Sequence, residues 1–311
     1  MQIKRPGFLA TVFLFALFFC GYHLVFSEPT QSLVIVKGRN IPPYNSVVSA
    51  FKEAIQSHQN TLKIVEIDFE EGKQEGQINA QLQAAKPVLV LTLGTPATKM
   101  VRQLSLNAPV VYTMILDPAK NDILAPGVAI NISSEAKLKE LKMILPGIKA
   151  LGVIYSSADS FMYEDISLAC KRLGLRLVER KIDSQKDFPA AIEGIFREAD
   201  CFLMIPDPNI YPPKVTEQLL LQGLQRKIPV IGLSASYAKA GAFIAFDCDY
   251  EDLGRQTAEF ALRILTGDSQ AAKEMQVTRK IKFSLNLQVA ERLGVIIPQE
   301  ILNEAGEVFG R

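Results

Sequence analysis

The residues of this chain that could do chemistry offer hydrogen bonds and fixed charge, and no nucleophile stands out among them. Gly94-Thr95-Pro96-Ala97 ends an apolar run and opens a helix-like stretch. Proline suits a first helical position, where its missing N–H is no loss. Thr95 then reads as the N-cap. That accounts for a capped helix, and the remaining N–H groups with the helix dipole could also receive a carboxylate. Asp207 follows the run "CFLMIP", where its carboxylate could meet an ammonium group, with Asn209 beside it. Asp117 precedes Pro118, a turn-forming pair that could also face a cation. Ser156, Ser157 and Ser160 make a hydroxyl-rich loop, with Phe161 or Tyr163 as an apolar wall. Ser234 closes another apolar run. Tyr44 and Tyr237 each follow such a run and present a flat face with a hydroxyl. Asp247 and Asp249 read as hinge or helix-cap residues rather than ligand contacts.

Catalytic arrangements find little support. Beyond the first 27 residues the single histidine is His58, in the polar stretch "QSHQN", which argues against a histidine triad or a histidine-rich metal site. There is no G-x-S-x-G, P-loop or C-x-x-C pattern. The acidic run "EIDFEEGKQEG" at 66–76 reads as a solvated turn. The expectation is no enzyme, no metal and no cofactor.

The elements that must position these residues repeat one rhythm: a short Val- and Ile-rich run, a turn, then a helical stretch. Predicted strands occupy 33–38, 62–68, 88–94, 109–115 and 127–132, with helices at 45–57, 75–85 and 96–104 between them. After a helix at 136–145 the rhythm restarts, with strands at 150–156, 176–182, 201–207, 229–234 and 242–247 and helices at 163–173, 188–198 and 214–226. The stretch 250–268 is a helix that Asp249 could cap and Gly267 could end. A strand at 279–286 and a helix at 287–294 close the chain. Continuous apolar strands alternating with amphipathic helices predict α/β architecture: two doubly wound lobes with parallel sheets covered on both faces. Ligands of such sheets bind beyond the carboxyl ends of the strands, which is where Gly94 falls.

With 311 residues, 48% hydrophobic and 22% charged, the chain is long enough for two full cores. Lys4 and Arg5 precede an apolar stretch ending Val25-Phe26-Ser27, read as a signal peptide over 1–27 with cleavage before Glu28. An uncleaved anchor is the alternative, since Phe8 to Phe26 nearly spans a bilayer. Lipidation at Cys20 is disfavoured by the bulky Phe19 before it. Every version places the body outside the cytoplasm. Without that segment 32 basic residues face 33 acidic ones, and no basic patch suggests nucleic acid. Cys170, Cys201 and Cys248 are isolated in apolar surroundings and read as small buried hydrophobes.

The order of several segments resembles the ABC-transporter substrate-binding family that includes aromatic amino-acid binders of the tryptophan-uptake type. The segments are "LGTPAT" (93–98), "MILDPAKNDIL" (114–124), "LKELKMILPGIKALGVIYSSADSF" (138–161), "KAGAFIAFDCDYEDLGRQTAEFALRILTGD" (239–268) and "FSLNLQVAERLGVIIPQEIL" (283–302). Three points depart from the family's pattern. Asn131-Ile132-Ser133-Ser134 stands where N-x-T-G is usual, Pro208 separates Asp207 from Asn209, and "GRNIPPYNS" replaces an H-P motif. The resemblance implies the type I periplasmic binding protein fold with three crossovers. Lobe one would hold 32–132 plus 248–277, and lobe two 133–247 plus 278–311. It also implies a monomeric exported protein that closes around a small ligand, an apolar or aromatic amino acid or similar carboxylate, and meets an ABC permease. A membrane-anchored sensor on the same fold is the rival. A cytoplasmic repressor is disfavoured by the leading segment and by the lack of a DNA-binding head. The ligand set implied is Tyr44, Gly94, Thr95, Ala97, Asp117, Ser157, Ser160, Phe161, Asp207, Asn209, Ser234 and Tyr237.

Overall fold

The computed structural model describes residues 31–310, apart from 60, 71–74, 125, 158–159 and 208. The leading segment and the side chains of Ser160 and Phe161 lie outside the described residues. The first half of the chain contributes β1 (Ser32–Lys37), α1 (Pro42–His58), β2 (Lys63–Asp68), α2 (Glu75–Ala85), β3 (Leu89–Leu93), α3 (Thr95–Arg102), β4 (Val110–Thr113) and β5 (Gly127–Ala129). Next come α4 (Ser134–Ile144), β6 (Ala150–Tyr155), α5 (Ser160–Leu173), β7 (Arg176–Lys181), α6 (Phe188–Phe196), β8 (Cys201–Leu203), α7 (Pro213–Gln225), β9 (Val230–Gly232), α8 (Ala235–Ala240) and β10 (Ile244–Cys248). The chain ends with α9 (Tyr250–Leu265), β11 (Met275–Val277), β12 (Ile281–Asn286), α10 (Leu287–Leu293), α11 (Gln299–Glu304) and β13 (Glu307–Phe309).

These strands form two sheets. One has the order β11-β5-β4-β3-β1-β2, and the other β13-β12-β10-β9-β8-β6-β7. Strand alternation divides each core in two. Leu33 and Ile35 of β1 join Leu89 and Leu91 on one face of the first sheet, while Val34 and Val36 meet Val90 on the other. In the second sheet Leu151 and Val153 face one cluster, and Ala150 and Ile154 the opposite one.

The chain passes between the sheets three times: after β5, after β10 and after β11. These crossovers lie side by side. Thr278 N–H donates to the Ala129 carbonyl at 2.9 Å, and Asp249 N–H donates to the Lys280 carbonyl at 3.1 Å. Asp249, 2% exposed, caps α9 by accepting the Asp252 N–H at 3.0 Å, and it faces the ammonium groups of Lys280 and Lys282 at 3.4 Å each.

Helix α9 crosses back onto α1 in the first lobe. Gly254 allows the approach, because a methyl group there would collide with the Val47 carbonyl and stand 2.9 Å from the Ala50 Cβ. Leu253, Ala258, Phe260 and Ala261 of α9 join the same core as Val47 and Phe51.

The direction of β12 and the start of α1 differ from the sequence reading. Strand β12 is antiparallel to β10, with Cys248 opposite Ile281. The chain leaves the second sheet at the end of β10 and re-enters beside it from the crossover end, so the returning strand must run the other way. Helix α1 begins at Pro42 rather than 45, because Pro42 and Pro43 occupy its first turn, where no N–H is needed. Tyr44 therefore sits in a helix and not in a loop.

All three cysteines among the described residues are buried and free of disulfides. Burial pushes the Cys170 thiol up to about 11, and burial raises Cys201 and Cys248 further.

Candidate functional site

In each sheet the strand order reverses direction at one strand. β1 lies between β2 and β3, and β6 between β7 and β8. The crevice beyond the carboxyl end of such a strand is where doubly wound sheets take ligands. In lobe one Gly94, just past the end of the adjacent β3, borders that crevice. Its φ of 87° and ψ of 158° lie in a region open essentially to glycine alone. Its N–H donates to the Thr113 carbonyl at 2.9 Å, and its carbonyl accepts the Thr98 hydroxyl at 2.9 Å. The Tyr44 hydroxyl stands 2.5 Å from where a Cβ on Gly94 would lie.

Gly94, not Thr95, is the N-cap of α3, and no side chain caps the helix. The reason is the glycine-only conformation, which starts the helix one residue early and puts Thr95 and Pro96 inside its first turn. Gly94→Ala should cost about 1–3 kcal/mol, from the strained backbone and the displaced Tyr44 ring. Urea denaturation of the two proteins measures it, and equal midpoints would refute the strain.

The other sequence-derived candidates scatter. Ala97 is fully buried, and Tyr44 packs with the lobe-one core. Asp117 Oδ1 accepts the Lys120 N–H at 3.0 Å, closing the turn at 119–121. In lobe two, Ser157 donates to Asp183 Oδ1 at 2.9 Å. Asp207, 4% exposed, accepts the Asn209 N–H on Oδ1 at 2.8 Å, shaping the turn after β8, and Asn209 itself is exposed. Tyr237 lines a separate groove with Tyr211, Pro213 and Leu220. The hydroxyls of Ser234 and Ser236 lie 2.8 Å apart.

Ser234 borders the cavity that both lobes share. This cavity of about 220 Å³ is walled by Leu116 and Ile130 from the first lobe and by Met162, Leu203, Leu233 and Phe246 from the second. Its polar groups are few: Lys137, Asp247, Tyr250 and Ser234. Asp247 Oδ1 accepts the Tyr250 hydroxyl at 2.7 Å and the Cys248 N–H at 2.9 Å. Burial raises the Asp247 carboxyl, and these two donors, with Lys137, only partly offset it. Burial lowers the Lys137 ammonium, against the opposing pull of Asp165 and Asp247. A second cavity of about 210 Å³ lies on the far side of the Asp247–Tyr250 pair, beside Ser46 and Glu307. A larger depression of about 720 Å³ on the outer side of lobe one is bordered by solvated side chains, among them the Lys52–Glu66 pair at 2.8 Å.

An apolar cavity with a few convergent polar groups and shifted titration is the form expected of a small-molecule site. Lys137, Met162 and Tyr250 were not among the sequence-derived candidates, and Asp247 was read as a hinge residue. The signal that could have found them is position: three of these four lie within four residues of a crossover. Among the described residues, no group of three or more His, Cys, Asp or Glu is arranged to hold a metal ion.

Comparison with known proteins follows this geometry. A family model described as "ABC transporter substrate binding protein" matches residues 34–309. A tyrosine-binding protein of Clostridioides difficile (strain R20291) is 22% identical over 223 residues, which cover 66% of this chain. The chain spans 64% of that relative's length. Among solved structures, a domain from Streptococcus pneumonia in complex with L-Trp is 20% identical with a TM-score of 0.60. A ligand-free, open substrate-binding protein with adhesive properties from Clostridium difficile is 18% identical with a TM-score of 0.75. Each match covers 90% of this chain and 100% of the other, and the likeness is one of fold.

Proposed function

Since the chain belongs to the family of ABC transporter substrate-binding proteins, we propose that it captures a small ligand, an amino acid or related carboxylate, between its lobes outside the cytoplasm and presents it to an ABC permease. The observation that carries this reading is the shared cavity, apolar on most sides and placed where both sheets end. Its volume, about 220 Å³, lies below the range of drug-sized sites, so the guest is small. Aromatic amino acids lead the list because the curated relative is named for tyrosine and one structural relative holds L-Trp. In this reading the three adjacent crossovers act as a hinge, and ligand contacts made with both lobes favour the closed form.

The test is isothermal titration calorimetry on purified protein with L-tyrosine, L-tryptophan, L-phenylalanine, aliphatic amino acids, sugars and purines. Heat from an aromatic amino acid is the expected result. Tight sugar binding with silent amino acids refutes the ligand class. Bound at a hundred times its Kd, a ligand should also add about 2.7 kcal/mol of stability in a thermal melt.

An anchored sensor remains the second reading, because the apolar stretch 8–26 nearly spans a bilayer. Among the described residues no helix is long and apolar enough to cross a membrane. N-terminal sequencing of the exported protein separates the two: a start at Glu28 supports the free carrier, and retention of the segment supports the sensor.

A further inference from the structure

We propose that Lys137 is the receptor for the ligand's carboxylate, and so the residue that makes the shared cavity select anions. This rests on the ligand site being that cavity.

Lys137 is placed where an ammonium is disfavoured three times over. It lies in the first turns of α4, near the positive end of the helix dipole, where a cation is repelled. It is half-buried beside Ile132 and Met162 at the wall of the shared cavity, which strips part of its water. Among the described residues no carboxylate comes within 4.0 Å of its ammonium. Two acids act on it from a distance, and both are engaged elsewhere. Asp165 Oδ2 accepts the Ser134 N–H at 3.0 Å, and Asp247 Oδ1 holds Tyr250 and the Cys248 N–H. The helix has its own cap as well, since Ser133 Oγ accepts the Ala136 N–H at 3.3 Å. Lys137 is therefore not needed to satisfy a neighbour.

A desolvated cation facing a cavity, with its donors unspent, matches a carboxylate. The charge-assisted bonds would be formed in low dielectric, where they are strong. The remaining walls, Ile130, Leu233 and Phe246 among them, suit an apolar body attached to that carboxylate. A ligand of the same shape with a neutral head would cover the half-buried ammonium and leave it unanswered.

The experiment pairs L-tyrosine, L-tryptophan and L-phenylalanine with their carboxamides, titrated calorimetrically into wild type, Lys137→Met and Lys137→Arg. Wild type should prefer the acid at least tenfold over its amide. Lys137→Met should weaken the acid by tenfold or more and bring the ratio close to one, and Lys137→Arg should keep part of the preference. The unliganded Lys137→Met protein should melt at or above the wild-type temperature, because an apolar side chain replaces a desolvated charge. Equal binding of acid and amide by wild type overturns the assignment without any variant. So does undiminished binding of the acid by Lys137→Met. A wild type that ignores every acid in the panel refutes the ligand class itself, and the role of Lys137 falls with it.

Discussion

Leucine in place of Gly254 should destabilise the protein by about 3 kcal/mol or more, the upper end of overpacking costs. The position faces α1 with no room for a side chain. The Val47 carbonyl, the Ala50 Cβ and the Phe51 nitrogen all lie within 3.0 Å of where a first carbon would stand, and two of the three are backbone atoms. A rotamer change cannot clear them, so the helices must move apart. Separation would strip contacts from Leu253, Phe260 and Phe51, which are buried in the same core. Alanine is a milder probe. Its collision is partly offset by the roughly 1 kcal/mol that alanine gains over glycine within a helix. Urea titration should show a lower midpoint with an unchanged slope for alanine and a much lower midpoint for leucine. If the leucine protein unfolds at the wild-type midpoint, the helices do not approach as described.

Asp249→Ala should remove about 2–3 kcal/mol. The lost cap of α9 accounts for about 0.5–2 kcal/mol. That cap is one bond to a buried carboxylate, which places the loss at the upper end, since bonds to charged groups contribute about 1.5–3 kcal/mol. Lys280 and Lys282 are largely exposed, so their pairs add little. The same residue predicts a pH effect. Burial pulls its carboxyl upward, but the Asp252 N–H and the two lysines outweigh that and hold it below its usual 3.8. A depressed folded value means the contribution is complete above the unfolded value and fades as pH falls through the folded one. Wild type and Asp249→Ala should therefore differ by a constant amount from pH 7 to about 5, with the gap closing below about pH 4. Thermal melts of both proteins across that range measure it. A gap that does not narrow at all as the pH falls below about 4 would show that charge plays no part.

Much of the architecture is written in local pattern. β1, β3 and β4 are largely apolar runs because both faces of their sheet are covered, and such runs read plainly as parallel strands. Helix α9 announces itself through its amphipathic spacing and its Asp249 cap. What escaped was set by tertiary context. The six-residue helices α8 and α11 and the three-residue strands β11 and β13 are too short to carry a period. The direction of β12 depends on where the chain re-enters the second sheet, which no window of sequence contains. Among the candidate site residues, Ser234 reaches the shared cavity, while Asp117 and Asp207 border it only through the neighbouring Leu116 and Pro206. Lys137, Asp247 and Tyr250 flank the crossovers, and which side chains of those segments face the cavity is set by how the two sheets are joined rather than by a local pattern. Lys137 looks like one more solvated helix lysine until Ile132 and Met162 gather beside it in the shared cavity.

The three buried thiols leave the surface of the described chain without a reactive sulfur. Only a thiolate attacks a maleimide or a disulfide, and these are hidden and held protonated at neutral pH. Two new cysteines, one replacing exposed Asn40 in the first lobe and one replacing exposed Asn209 in the second, could then carry a donor and an acceptor dye without competing labels. Energy transfer between the dyes would follow each opening and shutting of single molecules as solute is added.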